Sequence, residues 1–198
     1  MVRHLIILVE KLLKELTNQK KIIVEKQNTR TETLKMNKRE LLLVGFVIMA
    51  VLVRLLPHPP NFTPITALAL FGGTTFKNKW LGISLPLIAM GLSDMYLGFY
   101  GISYWVYGSF LLISILGTIW KKIRVKNVFI ASLIFFIITN FGVWLMGYPK
   151  TIEGFVLCYT LAIPFFINSL LGDFFFSYLL KWSFRYSENK ILARSSSG

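Results

Sequence analysis

With 55% hydrophobic residues, a mean hydropathy of +0.61 and 17 phenylalanines among 198 residues, the chain is too apolar for a soluble domain, and its composition is that of an integral membrane protein. A net charge of +13 and a pI near 10.0 would suit nucleic acid in another setting, but here the basic residues sit in short clusters between apolar runs, as loops on the cytoplasmic side of a membrane do, so nucleic acid is not an expected partner. One cysteine, Cys158, excludes an internal disulfide, and two histidines far apart offer no metal cluster, so neither a metal nor a cofactor is expected.

Residues 1–39 form a basic extension, and the first 40 residues hold ten of the 22 lysines and arginines. Leu5, Leu8, Val9, Leu12, Leu13 and Leu16 recur at helical spacing opposite Glu10, Lys11, Lys14 and Glu15, which predicts an amphipathic helix lying on a membrane. No small-residue cleavage site follows it, so it does not read as a signal peptide. The other reading is that Met36, followed by Asn37-Lys38-Arg39, is the true start in place of Met1 and the extension is dispensable.

Residues 40–184 carry six apolar segments, at about 41–56, 63–76, 80–98, 102–120, 127–146 and 152–182, and 185–198 read as a cytoplasmic tail. The expected fold is therefore an all-α bundle of about six transmembrane helices. Charge tests the count independently. Twenty lysines and arginines fall on the side of the N-terminal extension, and only Arg54 and Lys150 fall on or toward the other, which puts both termini in the cytoplasm of a cell whose cytoplasmic membrane the chain crosses. Trp80, Trp105, Trp144 and Tyr148 lie near the expected span ends, where aromatic belts form.

Between the first two segments runs RLLPHPPNFTPITALALFGG, from Arg54 to Gly73. Pro57, Pro59, Pro60 and Pro64 stiffen it, and Asn61 or Thr63 is placed to cap the next helix. The segment reads as a rigid lid at one membrane face, with His58 and Asn61 in it.

Ionisable groups inside a membrane are costly and mark bundle interiors or cavities. Counted at 1.5 Å per residue from the cytoplasmic ends of their segments, Arg54, Asp94 and Asn140 share a layer roughly 20 Å above the inner surface, and Tyr159 falls near it. One reading makes Arg54 and Asp94 neutralise each other and Asn140 link helices. The other makes Arg54, His58, Asn61, Asp94, Asn140 and Tyr159 line a small polar pocket open to the outside. Asp173 lies roughly 27 Å down from the outer end of the last segment, too deep to share a proton with Asp94 as a two-aspartate protease requires. Pairing with a lysine on the cytoplasmic side, or a part in coupling, is expected for it instead. No P-loop or nucleophile triad appears, so the chain is not expected to be an enzyme. Ala69 and Gly73 form a small-xxx-small pair suited to helix packing.

Three stretches, the Arg54–Gly73 segment, NFGVWLMGYPKTIEGFVLCYTLAIPFF and NSLLGDFFFSYLL, resemble an uncharacterised bacterial family of membrane transport proteins over residues 40–183. That family is similar in turn to the substrate-binding S components of energy-coupling factor (ECF) transporters. The resemblance implies six helices, a loop covering a solute site, here Pro57 to Phe62, and a transmembrane coupling subunit with ATPases as partners. The first helix departs from the S-component Ala-x-x-x-Ala pattern, since Phe46 precedes Ala50 and Gly45 precedes Met49. The implied function is uptake of a small vitamin- or metabolite-like solute. The competing expectation is a structural or assembly membrane protein whose buried polar pairs fix helix register.

Overall fold

The first apolar run, free of proline from Lys38 to Leu55, forms a helix that stops where Pro57 forbids its continuation: α1, Lys38–Leu55. A computed structural model of the chain describes residues 11, 14, 15, 17–23, 25, 38–76 and 78–195. The further helices are α2 (Ile65–Thr75), α3 (Lys79–Leu97), α4 (Ser103–Trp120), α5 (Val125–Gly147) and α6 (Ile152–Ser195). The described residues hold no strand and are all-α in their regular structure. The chain divides into two compact units, Met1–Leu41 and Leu42–Gly198. In the first, the described residues between 11 and 25 are helical and exposed, whereas the leucines of the expected amphipathic face lie outside the described residues. In the second, α6 runs on through the expected tail to Ser195.

Among the described residues, four helices are long and apolar enough to cross a membrane: α3, α4, α5 and residues 152–187 of α6. The 23 residues of α5 span about 34 Å, enough for a hydrocarbon core of about 30 Å. The second expected segment is different. Eleven residues make α2 only about 16 Å long, half a span. Every residue from Ile65 to Gly73 is buried, with α3, α4, α5 and α6 packed around it and Phe46 of α1 meeting Phe71 edge to face at 5.4 Å. It is a core element.

The proline-rich segment that delivers α2 is built from a tight turn. Phe62 N–H donates to the Pro59 carbonyl at 3.0 Å, with Pro60 second in the turn and Asn61 third at φ 63°, the arrangement of a type II turn, where a left-handed third residue is required. Neither Asn61 nor Thr63 caps α2 as expected: the turn occupies Asn61, and Pro64 itself holds the cap position with no side-chain bond. Phe62 anchors the segment to α6. Phe62 packs on Phe175 and Phe176 at ring distances of 6.2 and 5.5 Å, and against the backbone at Gly172. These positions lie some 20 residues into α6, about 30 Å along its axis from Ile152, so Phe62 reaches well down α6 while Pro57, Pro59, Pro60 and Asn61 stay exposed.

The small residue Gly73 packs helices as expected, while Trp105 departs from its expected place. Gly73 serves packing within the chain: a Cβ there would stand 2.2 Å from the Ser114 carbonyl oxygen, and one on Gly72 would stand 2.2 Å from that of Gly82. Trp105 is not a free interfacial ring, because it fills the notch over Gly142 and stacks edge to face with Phe141 at 5.5 Å. Trp80, at 82% exposure, stands free in the first turn of α3.

Candidate functional site

Three features of the second unit bear chemistry: a cavity, an ion-pair cluster and a buried carboxyl group. The cavity, about 230 Å³, lies between α4, α5, α6 and the Asn61 turn. Its polar lining is Asn61, Thr139, Asn140 and Ser169, set among rings such as Phe135 and Phe166 and aliphatic groups such as Val106. None of the lining residues is ionisable. Asn140 gives one amide N–H to the Phe136 carbonyl one turn back, at 2.8 Å, and Thr139 gives its hydroxyl to Phe135 at 2.7 Å. Both stay tied to α5 while bordering the cavity.

The ion pair lies where α1 and α3 end and α4 begins. Arg54 Nη2 donates to Asp94 Oδ1 at 2.8 Å, Nη1 donates to Ser93 Oγ at 2.8 Å and also meets the Met90 sulfur, and Tyr107 Oη donates to Asp94 Oδ2 at 2.9 Å. Both carboxylate oxygens are therefore matched, and the Arg54 and Asp94 side chains keep only 17% and 5% exposure. Such a closed set locks three helices together. Neither Arg54 nor Asp94 lines the cavity.

Of the six residues expected at one pocket, the structure thus brings Asn61 and Asn140 to the cavity and pairs Arg54 with Asp94 outside its lining. His58 is half-buried with Nε2 enclosed and unpartnered, and it is not among the lining residues. Tyr159 gives its hydroxyl to the Ile137 carbonyl at 2.8 Å and its ring to Phe136 and Phe155, which makes it a tie between α5 and α6.

Asp173, at 1% exposure, is the most buried charged side chain among the described residues. Ser132 Oγ bonds its Oδ2 at 2.7 Å, the hydroxyls of Thr66 and Ser169 lie beside it, and Oδ1 has no partner. The expected lysine does not pair with it: among the described residues no lysine or arginine does. Lys181, two turns on, bonds the Ile123 carbonyl at 3.2 Å and lies over the Tyr178 ring. Asp94 and Asp173 belong to separate clusters, so no aspartate dyad forms.

With this geometry in place, one family model matches the chain, over residues 34–194. The chain belongs to the DUF6580 family, a family of unknown function. No curated protein and no solved structure matches it. In this DUF6580 chain, hydroxyl groups complete each polar site, and they are the part that spacing in sequence conceals. Tyr107 is the partial exception. It stands four residues into α4 as Asp94 stands three before the end of α3, and a short antiparallel connection brings such positions level.

Proposed function

We propose that the protein binds a small, uncharged solute in the α4–α5–α6 cavity as the membrane subunit of an uptake system, without catalysing a reaction. The cavity lining carries the proposal: four separated hydrogen-bonding side chains in an otherwise aromatic and aliphatic wall is the makeup of a solute site, where a few polar groups fix orientation and apolar contact supplies affinity. A volume of about 230 Å³ suits a compact metabolite-like molecule, and the absence of ionisable lining argues for one without net charge. In this reading all six helices of the second unit form an S-component-like membrane domain in the cytoplasmic membrane, with α2 as a half-length inner element. A transmembrane coupling subunit and ATPases would drive release. The assembly reading keeps one supporting observation, the self-contained Arg54–Asp94–Tyr107 cluster, which needs no solute to satisfy it.

Asn140 tests the cavity directly. Replacing it with leucine removes a hydrogen-bonding group and keeps an apolar helix that inserts. Small molecules carried through purification, identified by mass spectrometry, are expected to be retained 5- to 150-fold less, the equivalent of roughly 1 to 3 kcal/mol for one unmatched polar group in a dry site. Undiminished retention by a folded Asn140→Leu protein would remove the cavity from the uptake reading.

Orientation is tested separately. The charge bias places the α4–α5 loop in the cytoplasm. A cysteine at Lys122, in a Cys158→Ser background, is expected to resist a membrane-impermeant thiol reagent outside intact cells and to react after lysis. Labelling in intact cells would invert the topology.

A further inference from the structure

Asp173 poses a problem that the solute cavity does not solve. An isolated carboxylate in an apolar interior is strongly disfavoured, and such a group is either paired, ligated or neutralised by a proton. Pairing is absent among the described residues, as shown above. Ligation of a divalent cation by a single carboxylate and hydroxyls would leave a charge mismatch, since such sites gather several acidic or carbonyl oxygens, and no group of three or more histidine, cysteine, aspartate or glutamate side chains exists among the described residues.

Ser132 supplies the geometric clue. Its single hydroxyl proton has two acceptors in reach, the Val128 carbonyl at 3.0 Å and Asp173 Oδ2 at 2.7 Å. When Asp173 is ionised, Ser132 donates to the carboxylate. When Asp173 is protonated on Oδ2, it donates to Ser132 Oγ, and the serine turns its own proton to Val128. Rotation of one hydroxyl thus accommodates both charge states without moving a helix.

The surroundings permit both states as well. Of the elements packed on α6, α5 presents Ser132 and α2 presents Thr66, its second residue, so the first turn of α2 lies near the carboxyl group. α6 itself presents Ser169 one turn before Asp173 and Ser177, a buried hydroxyl without a partner, one turn after. No lysine, arginine, histidine or second carboxylate faces Asp173 from α2, α5 or α6 among the described residues. Ser169 also lines the solute cavity. Ser169 therefore borders both the cavity and the buried carboxyl group.

We propose that Asp173 is a reversible proton site that exchanges with the α4–α5–α6 cavity through the Ser169 hydroxyl. In the transfer, Ser169 Oγ accepts the carboxyl proton as its own hydroxyl proton passes to water in the cavity, leaving Asp173 ionised and Ser169 unchanged. The site uses the cavity of the solute reading and not its solute, so the two stand or fall separately. Because Thr66 lies in the first turn of α2 and Phe62 rests against Gly172, the charge on Asp173 acts where the Asn61 turn meets α6.

Infrared spectroscopy of the purified full-length protein reads the proton directly. A carboxylic C=O band is expected that is lost in Asp173→Asn, weakens as the pH is raised from mildly acidic to mildly alkaline and returns on acidification. A band absent at every pH, or one that never responds to pH, would overturn the proposal by making Asp173 permanently ionised or permanently neutral. The titration is repeated in sodium chloride and in choline chloride. Identical curves are expected, and a band removed by sodium alone would replace the proton with a metal cation. The route is read by transfer into D2O: Ser169→Ala is expected to keep the band and slow its deuterium shift at least tenfold, and an unchanged rate would exclude Ser169 as the path. Should Asp173→Asn not fold, the pH response of the wild-type band and the Ser169→Ala rate still decide.

Discussion

Replacing Asp94 with asparagine is expected to destabilise the protein by about 3 kcal/mol or somewhat more, one of the two largest losses from a single side chain. The cost arises from Arg54: its Nη2 loses the only charged partner it has among the described residues while remaining packed against Ser93 and Met90. Breaking a buried pair by removing one member costs roughly 3 to 5 kcal/mol, and the 17% exposure left to Arg54 points to the lower end. Tyr107→Phe is a milder change. It removes one hydrogen bond to a carboxylate that keeps its arginine, for about 1.5 kcal/mol. Replacing both charges, Arg54→Met with Asp94→Leu, is expected to recover most of the loss, because no stranded charge remains. Unfolding in detergent, followed by circular dichroism against temperature or denaturant, ranks the variants. An Asp94→Asn protein as stable as the wild type would show that the cluster locks nothing.

The same pair shows what the sequence made legible. Counting along helices placed Arg54 and Asp94 at one depth, and they meet, because depth in a helical segment follows from a fixed rise per residue. Asn140, given the same depth, borders the cavity instead, since depth says nothing of which way a helix is turned. The segment from Leu56 to Pro64 could be read as rigid, but not where it is anchored. Its prolines fix local φ, whereas its path depends on Phe62 finding Phe175 and Phe176, over a hundred residues away. The shortness of the segment at 63–76 was legible, but its role as a core element was not. A buried core helix and a membrane span are both apolar on every face, and periodicity does not separate them. The serines and threonines around Asp173 carry no signal at all in sequence, because each becomes polar lining only by position.

That last link, from α2 to everything around it, is where the second large effect is expected. Gly72→Ala and Gly73→Ala each add one methyl group, yet each meets backbone on a different neighbour: the Gly82 carbonyl oxygen of α3 at 2.2 Å for the first, and the Ser114 oxygen and Gly117 Cα of α4 at 2.2 and 2.9 Å for the second. No side chain can rotate away, so whole helices must separate by about 1 Å. Overpacking of a well-filled core costs roughly 1 to 3 kcal/mol and occasionally more, and rigid neighbours put these two at about 3 kcal/mol. Gly45→Ala and Gly108→Ala are the controls, since nothing lies within 4 Å of an added Cβ there, and the better helix propensity of alanine is expected to leave stability unchanged or raise it by up to about 1 kcal/mol. The consequence extends beyond stability. α2 carries Thr66 to Asp173 at one end and holds the turn that brings Asn61 to the cavity, so displacing it from α3 and α4 shifts both sites together. Thermal unfolding and solute retention are therefore expected to fall in parallel for Gly72→Ala and Gly73→Ala and to hold for Gly45→Ala and Gly108→Ala. Equal stability across all four proteins would mean that α2 is not clasped between α3 and α4 by its glycines, and the central position given to it here would have to be abandoned.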